Sequence, residues 1–309
     1  MATHQDTDAE VRQPVNRKRG EPPSANDAAF APRITQPALL ALDQGATRVP
    51  RAQEHLKQDE LWQGNAYPVD AHGQPTGAPD QPVYFRLAGA QTMAAELLGA
   101  LMAQALSLPT PAPYVLRINA GVLPGSRFAA GLQQQPAPLL CVATHDLGAP
   151  TFAQLLAEHS AFAKKMLRQW HALLPATAFD EWIANLDRNF GNILYVASEL
   201  WLIDHADAFG GPQRKLLSLG ELVDKALTNK LAILFGHDSA HQRRKHLEAA
   251  HRWLTQTAGS LNVRELARHA SHWQSGDEEN ALVQFLTSRL ALTHRLLCAR
   301  LGYPQLQLQ

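Results

Sequence analysis

Two cysteines in 309 residues, Cys141 and Cys298, are too few and too far apart for a disulfide framework or a CxxC metal or redox pair. As single thiols they suit a buried core in a reducing compartment. Net charge is missing as well: Lys plus Arg and Asp plus Glu each number 28, so no overall field draws the chain to nucleic acid or an anionic membrane. Two short basic clusters, Arg17, Lys18, Arg19 and Arg243, Arg244, Lys245, read as solvated charge. No apolar run approaches the roughly 20 residues a spanning helix needs, and residues 1–27 lack the apolar core of a signal peptide, which makes the cytoplasm the default compartment. Three catalytic signatures are also absent. Without GxxxxGK[ST] there is no P-loop, and without GxSxG no hydrolase elbow. His237 and His241 have the i, i+4 spacing of zinc ligands, but the accompanying Glu and a third ligand are lacking.

What is present is a chain with 45% apolar residues, long enough for two lobes around a cleft. Residues 1–36, rich in Pro, Asp, Asn, Gln and Arg, read as a disordered arm. A weak helical signal runs from Ile34 to Leu61. LWQGNAYPV and PVYFRLAG then read as strands joined by the Gly/Pro-rich DAHGQPTGAPDQ. The large apolar residues of TMAAELLGALMAQALSL recur at helical spacing until Pro109 ends the run. YVLRI and PLLCVAT are two further strands. Beyond Thr151 the texture becomes helical: FAQLLAEHSAFAKKMLRQWHALL, then runs near 217–235, 240–257, 261–273 and 278–301. Residues 37–146 are therefore expected to form a small β-rich lobe and residues 147–309 a mostly helical one, an α+β layout with a cleft between them.

One hairpin interrupts the helices. In FDEWIANLDRNFGNILYVASELWLIDHADAF, from Phe179 to Phe209, two apolar runs carry Asn192 and Asp204 at the ends away from their shared turn. A tight turn at Ser198 and Glu199 sets Ile193 opposite Asp204 and Leu194 opposite Ile203. Asn192 and Asp204 then offer hard oxygen donors at the open end, suited to Mg²⁺ that fills its other positions with phosphates and water. Asp187 lies on the loop entering the first strand. Metal ions that neutralise phosphate, and a carboxylate that positions a hydroxyl, are the parts phosphoryl transfer needs. The alternative is a structural hairpin with ordinary polar ends.

LDRNFGNILY followed by LWLIDHADAF resembles the catalytic loop and metal-binding segment of the bacterial HipA-like kinases and the phosphatidylinositol 3- and 4-kinases, which share D-x-x-x-x-N, a hairpin, then hydrophobic-Asp. VYFRLAG and AAELLGALMAQALSLPTPAP are similar to the HipA-like small lobe, so the likeness spans residues 60–210. The resemblance implies a bilobal protein-kinase-like fold that uses ATP and Mg²⁺ to phosphorylate Ser or Thr of a protein. It makes Asp187 the catalytic Asp and Asn192 and Asp204 the Mg²⁺ ligands. Arg86 and Glu96 would together hold the nucleotide phosphates, and adenine would meet backbone groups of Ala143 to Leu147 at the hinge of a nucleotide-binding lobe.

Where those families carry a strand Lys this chain has Arg86, a planar fork instead of a compact ammonium. Asn189 stands where they commonly have His, so that position cannot take up a proton. No glycine-rich loop is recognisable around Gly64, Gly73 and Gly77. A nucleotide-binding module without turnover, a lipid or small-molecule kinase, and a partner-binding regulator with a purely structural hairpin are the other readings.

Overall fold

Alternate residues of the stretch Gln81–Leu87 (Val83, Phe85 and Leu87) are buried, the period of a strand with one face on a core. It is the fourth of eight strands in the computed structural model, which describes residues 36–43, 45–50, 59–130 and 138–303. The expected N-terminal arm, apart from Gln36, and the Arg17 cluster lie outside the described residues.

β1 (Ala38–Leu42), β2 (Thr47–Arg48), β3 (Glu60–Pro68), β4 (Gln81–Leu87), β5 (Pro113–Ile118) and β6 (Leu139–His145) make one sheet in the order β1-β5-β6-β4-β3-β2. β1 runs parallel to β5 and also pairs antiparallel with the end of β3, through Leu40 with Pro68 and Ala41 with Tyr67. The sheet thus curls back on itself, which protects both edges of β1. This corrects the helix expected from Ile34 to Leu61 where that stretch is described; residues 51–58 of it lie outside the described residues. ALLAL is too short and too apolar to show a period, and its pairing with β5 decides for strand.

Between β4 and β5 lies α1 (Ala90–Ala105), buried over most of its surface because the sheet covers one side and the helical half the other. The helix ends at Ala105, short of Pro109, with Ser107 at a φ of 56° closing it. After the single turn α2 (Arg127–Ala130) and β6, the chain becomes helical.

The long helix expected from Phe152 to Leu174 is instead three: α3 (Phe152–Glu158), α4 (Ser160–Gln169) and α5 (Leu173–Trp182). His159 leaves helical geometry at the first break, and Pro175 suits only the opening turn of α5. The run at 217–235 is likewise mostly irregular, holding only α6 (Leu219–Leu222) and a 3₁₀ turn at Ala232–Phe235. The runs beyond it form α7 (Ala240–Gln256), α8 (Val263–Arg268) and α9 (Gly276–Arg300). Four of these helices start in capping boxes readable as S/T-x-x-E/Q: Thr151 with Gln154, Ser218 with Glu221, Ser239 with Gln242 and Ser275 with Glu278. No helix among the described residues is long and apolar enough to cross a membrane.

The irregular 217–235 segment is held by a buried arginine. Arg289, on α9 and fully enclosed, donates to the carbonyls of Leu222 (2.8 Å), Val223 (2.9 Å), Lys225 (3.0 Å) and Glu181 (2.9 Å). Arg300 grips the Glu181 carboxylate at 2.9 and 3.2 Å and also reaches the Leu227 carbonyl. Backbone groups that a helix would satisfy are here satisfied by guanidinium. Arg289→Met should therefore destabilise the protein by about 3–5 kcal/mol, since it removes a buried charged donor that four carbonyls share. Urea denaturation measures this, and an unchanged midpoint would contradict the assigned role.

Candidate active site

The hairpin is β7 (Ile193–Val196) and β8 (Glu199–Leu202), joined by Ala197 and Ser198 with φ of 45° and 72°. Two positive-φ residues in a two-residue loop make the type I′ geometry that suits twisted strands. The turn lies one residue earlier than expected, so Ile193 pairs with Leu202 and Leu194 with Trp201, not with Asp204 and Ile203. Ala-Ser gives no sign of a left-handed turn, which is why the sequence misplaces it. Each partner moves by two residues, so the buried face is preserved. The ladder continues one step further, with the Ile203 N–H donating to the Asn192 carbonyl at 3.1 Å, and Asp204 comes next.

Two strands alone are barely stable in water. Here both edges are occupied. Tyr195 N–H donates to the Pro150 carbonyl (2.9 Å) on one side; on the other, Leu202 N–H donates to the Pro109 carbonyl (2.7 Å) and the Thr110 hydroxyl to the Leu202 carbonyl (2.9 Å). The hairpin is thereby fastened to the segment following α1.

Arg188 secures the open end. Its side chain is fully buried; it bridges Asp180 at 3.1 and 3.3 Å and donates to the carbonyls of Asn192 (3.1 Å) and Ile203. The Asn192 amide nitrogen donates to the Asp187 carbonyl at 2.6 Å, which turns its amide oxygen to other use. Asn189 is spent locally, accepting from Gly191 N–H (2.7 Å) and donating weakly to the Asp187 carbonyl (3.4 Å). The Asp187 carboxylate projects outward and meets Lys230 Nζ at 2.6 Å.

Asp204 has a φ of 58°, a left-handed conformation that Asp tolerates better than most residues. From there its carboxylate reaches across to the sheet, to Arg86 on β4 at 2.7 Å, while the same guanidinium also binds Asp59 just before β3. Burial opposes the charge on both partners. Even so, Arg86 draws the Asp204 carboxyl down, and Asp204, Glu96 and Asp59 hold Arg86 firmly protonated. Glu96, on α1, was expected to pair with Arg86. It lies in the field of that guanidinium but its Oε2 is buried without a hydrogen-bond partner, because the Arg86 fork is already divided between two aspartates.

Of the residues expected in the site, Arg86, Glu96 and Asp204 are thus gathered at one place, and Asn192 is tied to Asp187 through the loop backbone. Asp59, Arg188 and Lys230 are further members that sequence reasoning missed. Arg188 adjoins Asp187, but nothing in LDRNF distinguishes an inward from an outward arginine. Lys230 lies in an irregular segment with no pattern at all.

Asp59 and Asp204 share one Arg86 guanidinium, and a Glu96 carboxyl oxygen without a hydrogen-bond partner lies in the same electrostatic neighbourhood. Among the described residues no group of three or more His, Cys, Asp and Glu side chains could hold a metal by itself. The Asp204 carboxylate and the Asn192 amide oxygen are hard donors of the kind Mg²⁺ takes alongside phosphates and water.

No protein-family model matches the sequence, and no curated relative does. Among solved structures, a Helicobacter pylori proinflammatory kinase, CtkA, aligns over 84% of this chain and 99% of its own, with 10% identity and a TM-score of 0.48. That likeness is too slight to define this fold or its chemistry.

Gly99, one turn along α1 from Glu96, leaves room for His205: a Cβ there would lie 2.5 Å from the His205 Cβ. Gly99→Ala should cost about 1–3 kcal/mol by overpacking and disturb Asp204 next door, visible as a lowered melting temperature. Burial, and then Asp204, push the Glu96 carboxyl up to about 7 from 4.5. A group that holds its proton more tightly when folded lowers stability as pH rises from its unfolded toward its folded pKa. Without nucleotide, Glu96→Gln should therefore gain stability relative to wild type between about pH 5 and about pH 8; urea midpoints differing equally at both pH values would exclude the effect.

Proposed function

We propose that this protein is a Mg-ATP-dependent phosphotransferase with a bilobal, kinase-like arrangement, acting on a Ser or Thr hydroxyl of a protein. The observation that carries the reading is the meeting at the hairpin's open end: Asp204 joined to Arg86 of the sheet, and Asn192 joined to the loop that presents Asp187. Residues 37–146 would form the nucleotide-binding lobe and residues 147–309 the helical lobe. The chain leaves β6 through Asp146, whose N–H donates to the Pro82 carbonyl at 2.9 Å, and this segment from Ala143 to Leu147 would receive adenine.

Asp187, partly exposed on a loop anchored by Arg188 and Asn192, would accept the hydrogen of the attacking hydroxyl and orient its oxygen. Asp204 and Asn192 would hold Mg²⁺, which when bound supplies neutralisation of the phosphate charge. Arg86 would answer the remaining phosphate charge. A fork with two carboxylates already on it positions more than it moves.

A second reading has an observation of its own. Because Arg86 already sits on Asp204 at 2.7 Å, the chain supplies a cation at the metal-binding carboxylate, as a module that binds nucleotide without turnover could do. Melting curves and labelled ATP separate the two. With ATP and Mg²⁺ together the wild type should melt several degrees higher, and Asp204→Ala should lose that gain. Transfer of label from ATP should fall about 100-fold or more in Asp187→Ala. A melting shift with no transfer favours the binding module; no shift at all removes both readings.

A further inference from the structure

We propose that Lys230 is a catalytic residue of this site, the cation that meets the transferring phosphoryl group; the assignment rests on the phosphotransferase reading. Its Nζ lies 2.6 Å from Asp187 Oδ1, and the two side chains are 38% and 39% exposed. An ion pair this open contributes about 0–1 kcal/mol to stability. Its setting is built far more firmly than that return requires.

Asn229, directly before it, is buried: its amide nitrogen donates to the Thr177 carbonyl (2.9 Å) and to Glu181 (3.0 Å), and its amide oxygen accepts from Ala232 N–H (3.1 Å). Leu231, directly after, is buried in the core. Glu181 is itself gripped by Arg300. Lys230 therefore stands on backbone pinned at both sides, with only its own four-carbon stem free to move.

Arg188, the next residue after Asp187, is committed, facing inward to Asp180 and two hairpin carbonyls. Asn189 is neutral, with its amide engaged locally. Among the described residues Lys230 is the cation in contact with the Asp187 carboxylate. An acceptor hydroxyl oriented by Asp187 must bring its oxygen within about 3–3.5 Å of the phosphorus it attacks. An ammonium already bonded to that carboxylate is then one side-chain movement from the non-bridging phosphoryl oxygens.

In the step so assigned, the acceptor oxygen bonds to the γ-phosphorus as the bond from that phosphorus to the ADP oxygen breaks. The electron pair leaves on ADP, the hydroxyl proton passes to Asp187, and Lys230 moves from the carboxylate to an oxygen of the phosphoryl group as its charge spreads. Before substrate arrives the same lysine keeps Asp187 paired.

The test compares full-length wild type, Lys230→Ala and Lys230→Arg with γ-labelled Mg-ATP, following label on the protein itself and as released phosphate, alongside melting temperature. Lys230→Ala should lower kcat about 100-fold with KM for ATP within about two-fold of wild type and an unchanged melting temperature; Lys230→Arg should keep part of the activity. Turnover by Lys230→Ala at the wild-type kcat overturns the assignment and leaves the phosphotransferase reading standing, as does a loss explained wholly by KM or by unfolding. A wild type that moves no label removes the reading and the assignment together.

Discussion

One buried guanidinium sets the geometry on which the rest of the site depends. Arg188 binds Asp180 on α5 and the carbonyls of Asn192 and Ile203, so it clasps the two strands at the point where their ladder ends. Asp187 precedes it directly and Asp204 follows Ile203, which means that both carboxylates take their positions from the same clasp. A buried charge must be paired and fully bonded to be tolerated, and that requirement leaves the loop little freedom.

The same device recurs at larger scale. Arg289 and Arg300, around Glu181, hold the irregular segment of residues 222–227 by its carbonyls, and Asn229 continues the network toward Lys230. Across the sheet, Arg86 joins Asp59 to Asp204. Guanidinium suits each place because its planar fork can serve several oxygens at once, where an ammonium offers a point charge. Lys230, by contrast, is partly exposed at the end of a fixed backbone and paired with Asp187.

Much of the fold was legible because it is local. Strands β3 to β6 follow from alternation and β-branched or aromatic runs, α1 from helical spacing and Pro109, and the later helices from periodicity. The failures have physical causes. ALLAL carries no period of its own, and Pro175 divides what looks like one helix. Residues 217–235 have apolar spacing enough for a helix, yet Arg289 takes their carbonyls and holds them open. The hairpin was visible but shifted by one residue, since Ala197 and Ser198 adopt left-handed backbone without the Asn or Gly that announces it.

In the candidate site, the polar ends of the hairpin stood out in the sequence because Asp187, Asn192 and Asp204 punctuate apolar runs at short separations. Asp59 and Lys230 did not, and Arg86 was legible as a site residue but not as the partner of Asp204. These residues come from distant parts of the chain, and which carboxylate meets which cation depends on how the sheet, α1 and the hairpin stack. Residue types and local periodicity therefore determined where strands, helices and turns could form and which side chains were chemically able to act. Tertiary structure alone decided that Arg86 binds Asp204 and leaves Glu96 oxygen unpaired, that Arg188 turns inward, and that Lys230 reaches Asp187. Charge pairing acts through space over a few ångströms, and no local pattern encodes which distant residues folding will bring within that range.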